Sequence, residues 1–246
     1  MGYALRTAVT RLLRRYYDHV DHFLCLSAFQ RDLLINEGLP ADRTTVLPNP
    51  ISFSSGMSSG NESGGYVAYV GRFSPEKDVL TLIKAARSLD DVQFKFAGSF
   101  HRMPEVIKQK PDNCEFMGQL DAENLAQFYR DARMVVFATR CYEGFPTVLL
   151  EAMSHSLPAV CSRIGGLSEV VEDGKTGLLY EPGNTYELAD RIRTLWQNPA
   201  LCRRLGDAGR RKVREDYAAE RLMDRLIGIY EKVIMESKGR HRVHAI

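Results

Sequence analysis

Between residues 66 and 181 short apolar runs alternate with longer stretches whose apolar positions recur at helical spacing. The short runs are YVAYVG (66–71), VQFKFAG (92–98), CEFMG (114–118), MVVFAT (134–139), PAVCS (158–162) and GLLYE (177–181). Their β-branched and aromatic residues suit strands buried on both faces. Between them DVLTLIKAARSL (78–89), DAENLAQFYRDA (121–132) and PTVLLEAMSHS (146–156) read as helices. This alternation predicts βαβ crossovers and an α/β fold: a Rossmann-like parallel sheet with helices on both faces. From Thr185 the pattern is helical in three stretches, 185–197, 199–217 and 218–237, followed by a basic tail, KGRHRVHAI, expected to fray.

The first fifty residues repeat the theme on a smaller scale. YALRTAVTRLLRRYYDHV (3–20) is helical in pattern, HFLCLS (22–27) and TTVLP (44–48) read as short strands, and AFQRDLLINEG (28–38) as a helix. Ser27 stands at its N-cap and Gly38 at its stop. SFSSGMSSGNESGG (52–65) is rich in Ser and Gly and nearly free of core residues, so it reads as a linker or mobile loop.

Composition narrows the class. The chain has 246 residues, 44% hydrophobic and 26% charged, with a net charge of +2. That balance is ordinary for a globular protein and gives no bulk attraction to nucleic acid. No apolar run reaches the roughly 18 residues of a membrane span, and no signal-peptide pattern opens the chain. The five cysteines (Cys25, Cys114, Cys141, Cys161, Cys202) lack metal-ligand spacing and read as reduced, small apolar residues in a cytoplasmic protein. His19 and His22 stand beside Asp18 and Asp21, but a helix end explains them better than a metal site does. No metal is expected.

An open parallel sheet binds ligands at the carboxyl ends of its strands. After the 66–71 strand come Gly71, Arg72, Ser74, Pro75 and Lys77. Gly71 permits close backbone approach. Ser74 and Pro75 suit a helix start. Arg72 and Lys77 can reach one anion, with the charge and size of a diphosphate; a solvated charged turn is the competing reading. Gly98 and Met117-Gly118 end the next two strands and leave room for a flat ring. After MVVFAT comes EGFPTVLLE, residues 143–151. Gly144 and Pro146 make a turn before a helix whose first amides, Thr147 to Leu149, would meet a phosphate. Glu143 stands in the turn at the crevice mouth. Glu151 stands one turn into the helix, where an ionised carboxylate accepts two vicinal hydroxyls well; packing against a neighbour is its plainer reading. Gly165-Gly166 give another close-approach point on the same rim.

These motifs resemble a known family. VGRFSPEKDVLTLIKAA, FKFAGS, FMGQL, EGFPTVLLEAMSHSLPAVCSRIGGLSEVV and GKTGLLYEPGN are similar to the C-terminal part of GT-B glycosyltransferases of glycosyltransferase family 4, group 1 type. The likeness runs from about Asp18 to Val233. It implies a retaining glycosyltransferase that uses a nucleoside-diphosphate sugar. Arg72 and Lys77 would hold the diphosphate and stabilise the leaving nucleotide in place of a metal. Glu143 would bind the sugar hydroxyls, with Gly144, Phe145, Thr147, Val148 and Leu149 near sugar and phosphate. Glu151 would hold the ribose and Met117 flank the base. Gly71 and Gly98 complete the donor-binding set.

Read against that family, residues 1–47 correspond to the end of an N-terminal acceptor domain, 48–65 to a linker, and 66–246 to the donor-binding domain with C-terminal helices. Most of the acceptor domain has no counterpart, and no residue maps to the histidine that the family often uses near the acceptor. The chain is therefore expected to be a truncated form, a split enzyme or a remnant, and to need the missing domain or a partner chain. A noncatalytic nucleotide-sugar-binding module is the alternative. The basic helix at 3–20 has two readings, a peripheral contact on the inner membrane face or the last helix of the absent domain with its apolar face bare; the second is favoured.

Overall fold

The computed structural model describes residues 17, 19–53, 64–108 and 110–243, with side chains to residue 236. Most of the expected helix at 3–20 and most of the Ser/Gly-rich segment lie outside the described residues. The chain divides into two compact units, Met1–Pro48 with Glu220–Ile246, and Asn49–Ala219. Glu220 onward thus groups with the first unit.

In the first unit β1 (Phe23–Cys25) pairs in parallel with β2 (Thr44–Val46). Helix α1 (Ala28–Asn36) joins them, and Ser27 Oγ caps it by accepting from the Gln30 amide at 3.1 Å. Gly38 adopts φ 104°, the left-handed stop expected after a helix. His22 Nε2 lies 2.8 Å from Thr45 Oγ1.

The second unit is built on six parallel strands: β3 (Tyr66–Val70), β4 (Phe94–Ala97), β5 (Cys114–Gly118), β6 (Ala132–Phe137), β7 (Ala159–Ser162) and β8 (Gly177–Tyr180), in spatial order β5-β4-β3-β6-β7-β8. This is the doubly wound order, with its reversal between β3 and β6. Period-two alternation divides each strand between two cores. Val67, Tyr69, Phe94, Phe96, Met134 and Val136 face one side, where α2 (Val79–Arg87) packs through Leu82 and Ile83. Tyr66, Ala68, Val135 and Phe137 face the other, where α4 (Ala122–Asp131) and α5 (Thr147–Ser154) bury Phe128, Tyr129, Leu149, Leu150 and Met153.

Three further helices lie in this unit: α6 (Leu167–Val170), α7 (Thr185–Trp196) and α8 (Pro199–Asp216), after the short α3 (Pro104–Lys108). Neither α3 nor α6 is predicted from the sequence, because one turn carries too little periodicity to read. Helix α9 (Ala219–Val243) continues through most of the tail expected to fray. None of the described helices is long and apolar enough to cross a membrane.

Candidate functional site

At the β3/β6 reversal lies a pocket of about 240 Å³ lined by Tyr69, Val70, Gly71, Arg72, Lys77, Phe137, Ala138, Glu143 and the Phe145–Val148 stretch. Each wall has a local cause. Beyond β3 the chain turns at Gly71, and the Tyr69 hydroxyl donates to Arg72 O at 3.1 Å. Phe73 is fully buried against Tyr69, Phe96, Phe100 and Phe116. Arg72, between these anchors, is left exposed at the pocket.

The next turn differs from expectation. Ser74 takes an extended cap position without a side-chain cap bond, and Pro75–Lys77 form a single 3-10 turn. Asp78 then adopts φ 47°, and α2 begins only at Val79. The buried Asp78 carboxylate explains the break. It accepts from Thr81 Oγ1 at 2.8 Å and from Arg140 Nε at 2.7 Å, tying the loop after β3 to the loop after β6. The α2 amides therefore begin one turn later than the Ser74-Pro75 start predicted.

The second wall is organised by Thr139, a residue that the sequence reading did not single out. It is fully buried. Its amide donates to Ser162 Oγ at 2.9 Å, which donates to the Tyr180 hydroxyl at 3.0 Å. Its own hydroxyl lies 2.9 Å from Glu143 Oε1 and 3.1 Å from Glu76 O. Lys77 Nζ sits 2.7 Å from both Glu143 oxygens, and 5.6 Å from the Phe137 ring centre. The side chains of this ion pair are only 18% and 15% exposed, so it is far less screened than a surface pair. Cys141, half-buried, approaches Glu143 Oε1 at 3.7 Å; the other four cysteines are buried, as small apolar residues should be.

Helix α5 begins at the pocket, but fewer of its amides are bare than the turn suggests. The Thr147 amide donates to Phe145 O at 3.1 Å, and those of Leu149 and Leu150 to Pro146 O at 3.0 and 3.2 Å. Leu149 has its side chain wholly in the core. Of the Thr147 to Leu149 set, Thr147 and Val148 line the pocket.

The cavity thus brings together Gly71, Arg72, Lys77, Glu143, Phe145, Thr147 and Val148. Gly98, Met117, Gly144, Leu149 and Glu151 do not line it. Gly98 answers a different need: a Cβ there would stand 1.9 Å from Gly71 O, so it lets the ends of β3 and β4 meet. Met117 is on β5, two strands from β3. Glu151 is half-buried on α5; burial pushes its carboxyl pKa up, and the nearby Tyr129 hydroxyl works the other way. No group of three or more His, Cys, Asp or Glu able to hold a metal ion occurs among the described residues.

Comparison with known proteins bears on the family and the fold. The family model described as "Glycosyl transferases group 1" matches residues 57–212. An uncharacterized glycosyltransferase of Methanocaldococcus jannaschii is 32% identical over 194 residues, 77% of this chain and 54% of that protein. N-acetyl-alpha-D-glucosaminyl L-malate synthase of Bacillus anthracis is 28% identical over 187 residues, 73% and 48% of the two. The chain spans about half the length of these relatives. Sucrose-phosphate synthase from Thermosynechococcus elongatus superposes with a TM-score of 0.76 at 25% identity, over 87% of this chain and 58% of that one. Anabaena HepE in complex with UDP gives 0.78 at 20% identity, over 87% and 64%, a likeness of fold. With a family model covering well over half of its length and a parallel sheet of GT-B type beneath the match, this chain belongs to the group 1 glycosyltransferases.

Proposed function

We propose that this chain is the donor-binding part of a retaining glycosyltransferase that takes a sugar from a nucleoside diphosphate and passes it to an acceptor hydroxyl. One observation carries the reading: Arg72, Lys77, Glu143 and the start of α5 line a single pocket at the strand-order reversal. Two cations beside a helix N-terminus suit a diphosphate. A carboxylate with several lone pairs suits sugar hydroxyls.

In this reading Arg72 and Lys77 hold the diphosphate and take up the charge that grows on it as the glycosidic bond breaks. Fixed cations in a partly dry site do this without reorganising at the moment of reaction. Glu143 orients the sugar, and the Val148 amide region receives a phosphate oxygen. Glu151, outside the pocket lining, reaches the ribose only if the ligand extends along α5 past Val148. Met117 flanks the base on the β5 side.

Because the chain spans about half the length of its relatives, binding and transfer are tested separately. Thermal melts with UDP, GDP and ADP test the first. At least one nucleoside diphosphate is expected to raise Tm, by mass action on the folded state. If none does, the donor site is wrongly assigned. Turnover of the matching nucleotide sugar, by the chain alone and with a separate acceptor domain, then separates an enzyme from a binding module.

A further inference from the structure

The pocket's own anion already occupies its buried cation. Lys77 Nζ is shared evenly between the two Glu143 oxygens, at 2.7 Å each, and Thr139 Oγ1 holds one of those oxygens from behind at 2.9 Å. Thr139 is itself fixed through Ser162 and Tyr180, so Glu143 is not a side chain free to swing into water. A diphosphate that claims Lys77 must compete with this carboxylate. If it wins, Glu143, only 15% exposed even while paired, loses its partner and faces a new anion. Stranding a charge in that way is costly, because neither water nor its former partner reaches it fully.

A nucleotide sugar differs from a nucleoside diphosphate at this one point. Its sugar hydroxyls donate hydrogen bonds to Glu143 and replace what Lys77 withdraws. A spent nucleoside diphosphate has nothing to offer there. We infer that Glu143, clamped by Thr139 and paired with Lys77, is a specificity-determining residue that makes the pocket discriminate against the nucleoside diphosphate left after transfer. The return of Lys77 to Glu143 helps expel that product. This rests on the donor-pocket reading above.

The test is calorimetric titration of the parent chain, Glu143→Gln and Glu143→Asp with a nucleoside diphosphate and with the matching nucleotide sugar. Removing the competing charge in Glu143→Gln should tighten the nucleoside diphosphate at least about tenfold, a modest share of the coupling measured for close charge pairs. The same change should leave the nucleotide sugar unchanged or weaker, so the ratio of the two Kd values collapses. Glu143→Asp keeps the charge but draws it back from Lys77, and should fall between. It also serves if the Gln variant misfolds by circular dichroism. Thr139→Val should move the ratio in the same direction without touching ligand. If the parent binds nucleoside diphosphate and neither Glu143 variant binds it more tightly, the inference is overturned while the donor pocket stands. If the parent binds neither ligand, both fall together.

Discussion

At the scale of single residues, the site rests on charges whose partners lie far away in sequence. Lys77 and Glu143 are 66 positions apart and touch because β3 and β6 are neighbours. Sequence spacing named both, since each follows a strand, but nothing in the spacing says that they pair. Thr139 was less legible still: its role depends on Ser162 and Tyr180, from two other strands. Gly98 was legible as a glycine with a purpose; that its backbone packs against the Gly71 carbonyl was not. Glu151 gives a prediction that separates stability from binding. A carboxyl with a raised folded-state pKa holds its proton more tightly folded than unfolded. The unfolded chain therefore ionises first, and stability is lost as pH rises through the raised value. Glu151→Gln removes that loss while keeping the shape and a polar oxygen beside Tyr129. The variant should melt higher than the parent at neutral pH, with the gap closing below the carboxylate range. A gap that persists in acid would mean that its cause is not ionisation.

At the scale of elements, the strands and long helices follow from periodicity, and the exceptions follow from side chains that periodicity does not register. Asp78 delays α2 by accepting Arg140 and Thr81. Asn113, just before β5, is buried, and its Nδ2 lies 2.8–3.0 Å from Ala86 O, Leu89 O and Val92 O, which share its two hydrogens. One amide thus braces the end of α2 and the loop into β4, adding to the backbone bonds that Ala86 O and Leu89 O already accept from the Leu89 and Val92 amides. Asn113→Leu should cost about 1–3 kcal/mol, because the two hydrogen bonds of a buried amide are lost, and should leave nucleotide affinity unaltered. Chemical denaturation and titration of the same variant check both halves. A stable variant, or one with altered affinity, would show that this loop is held in another way.

At the scale of the whole molecule, the doubly wound sheet turns scattered motifs into one edge. The order β5-β4-β3-β6-β7-β8 places the two most chemically loaded loops side by side at the reversal. The fold was readable because both faces of the strands are buried, which leaves a plain apolar signature. The pocket was readable only as a set of candidates, because which of them meet depends on strand order and on two or three hydrogen bonds each. The central claim is that Lys77 reads a diphosphate in this pocket. The most direct measurement is titration of the parent chain and Lys77→Ala with a nucleoside diphosphate and with its parent nucleoside. Lys77→Ala is expected to lose at least about tenfold in affinity for the diphosphate, the scale of a charge-assisted contact, and little for the nucleoside. Equal losses for both, or none for either, would contradict it.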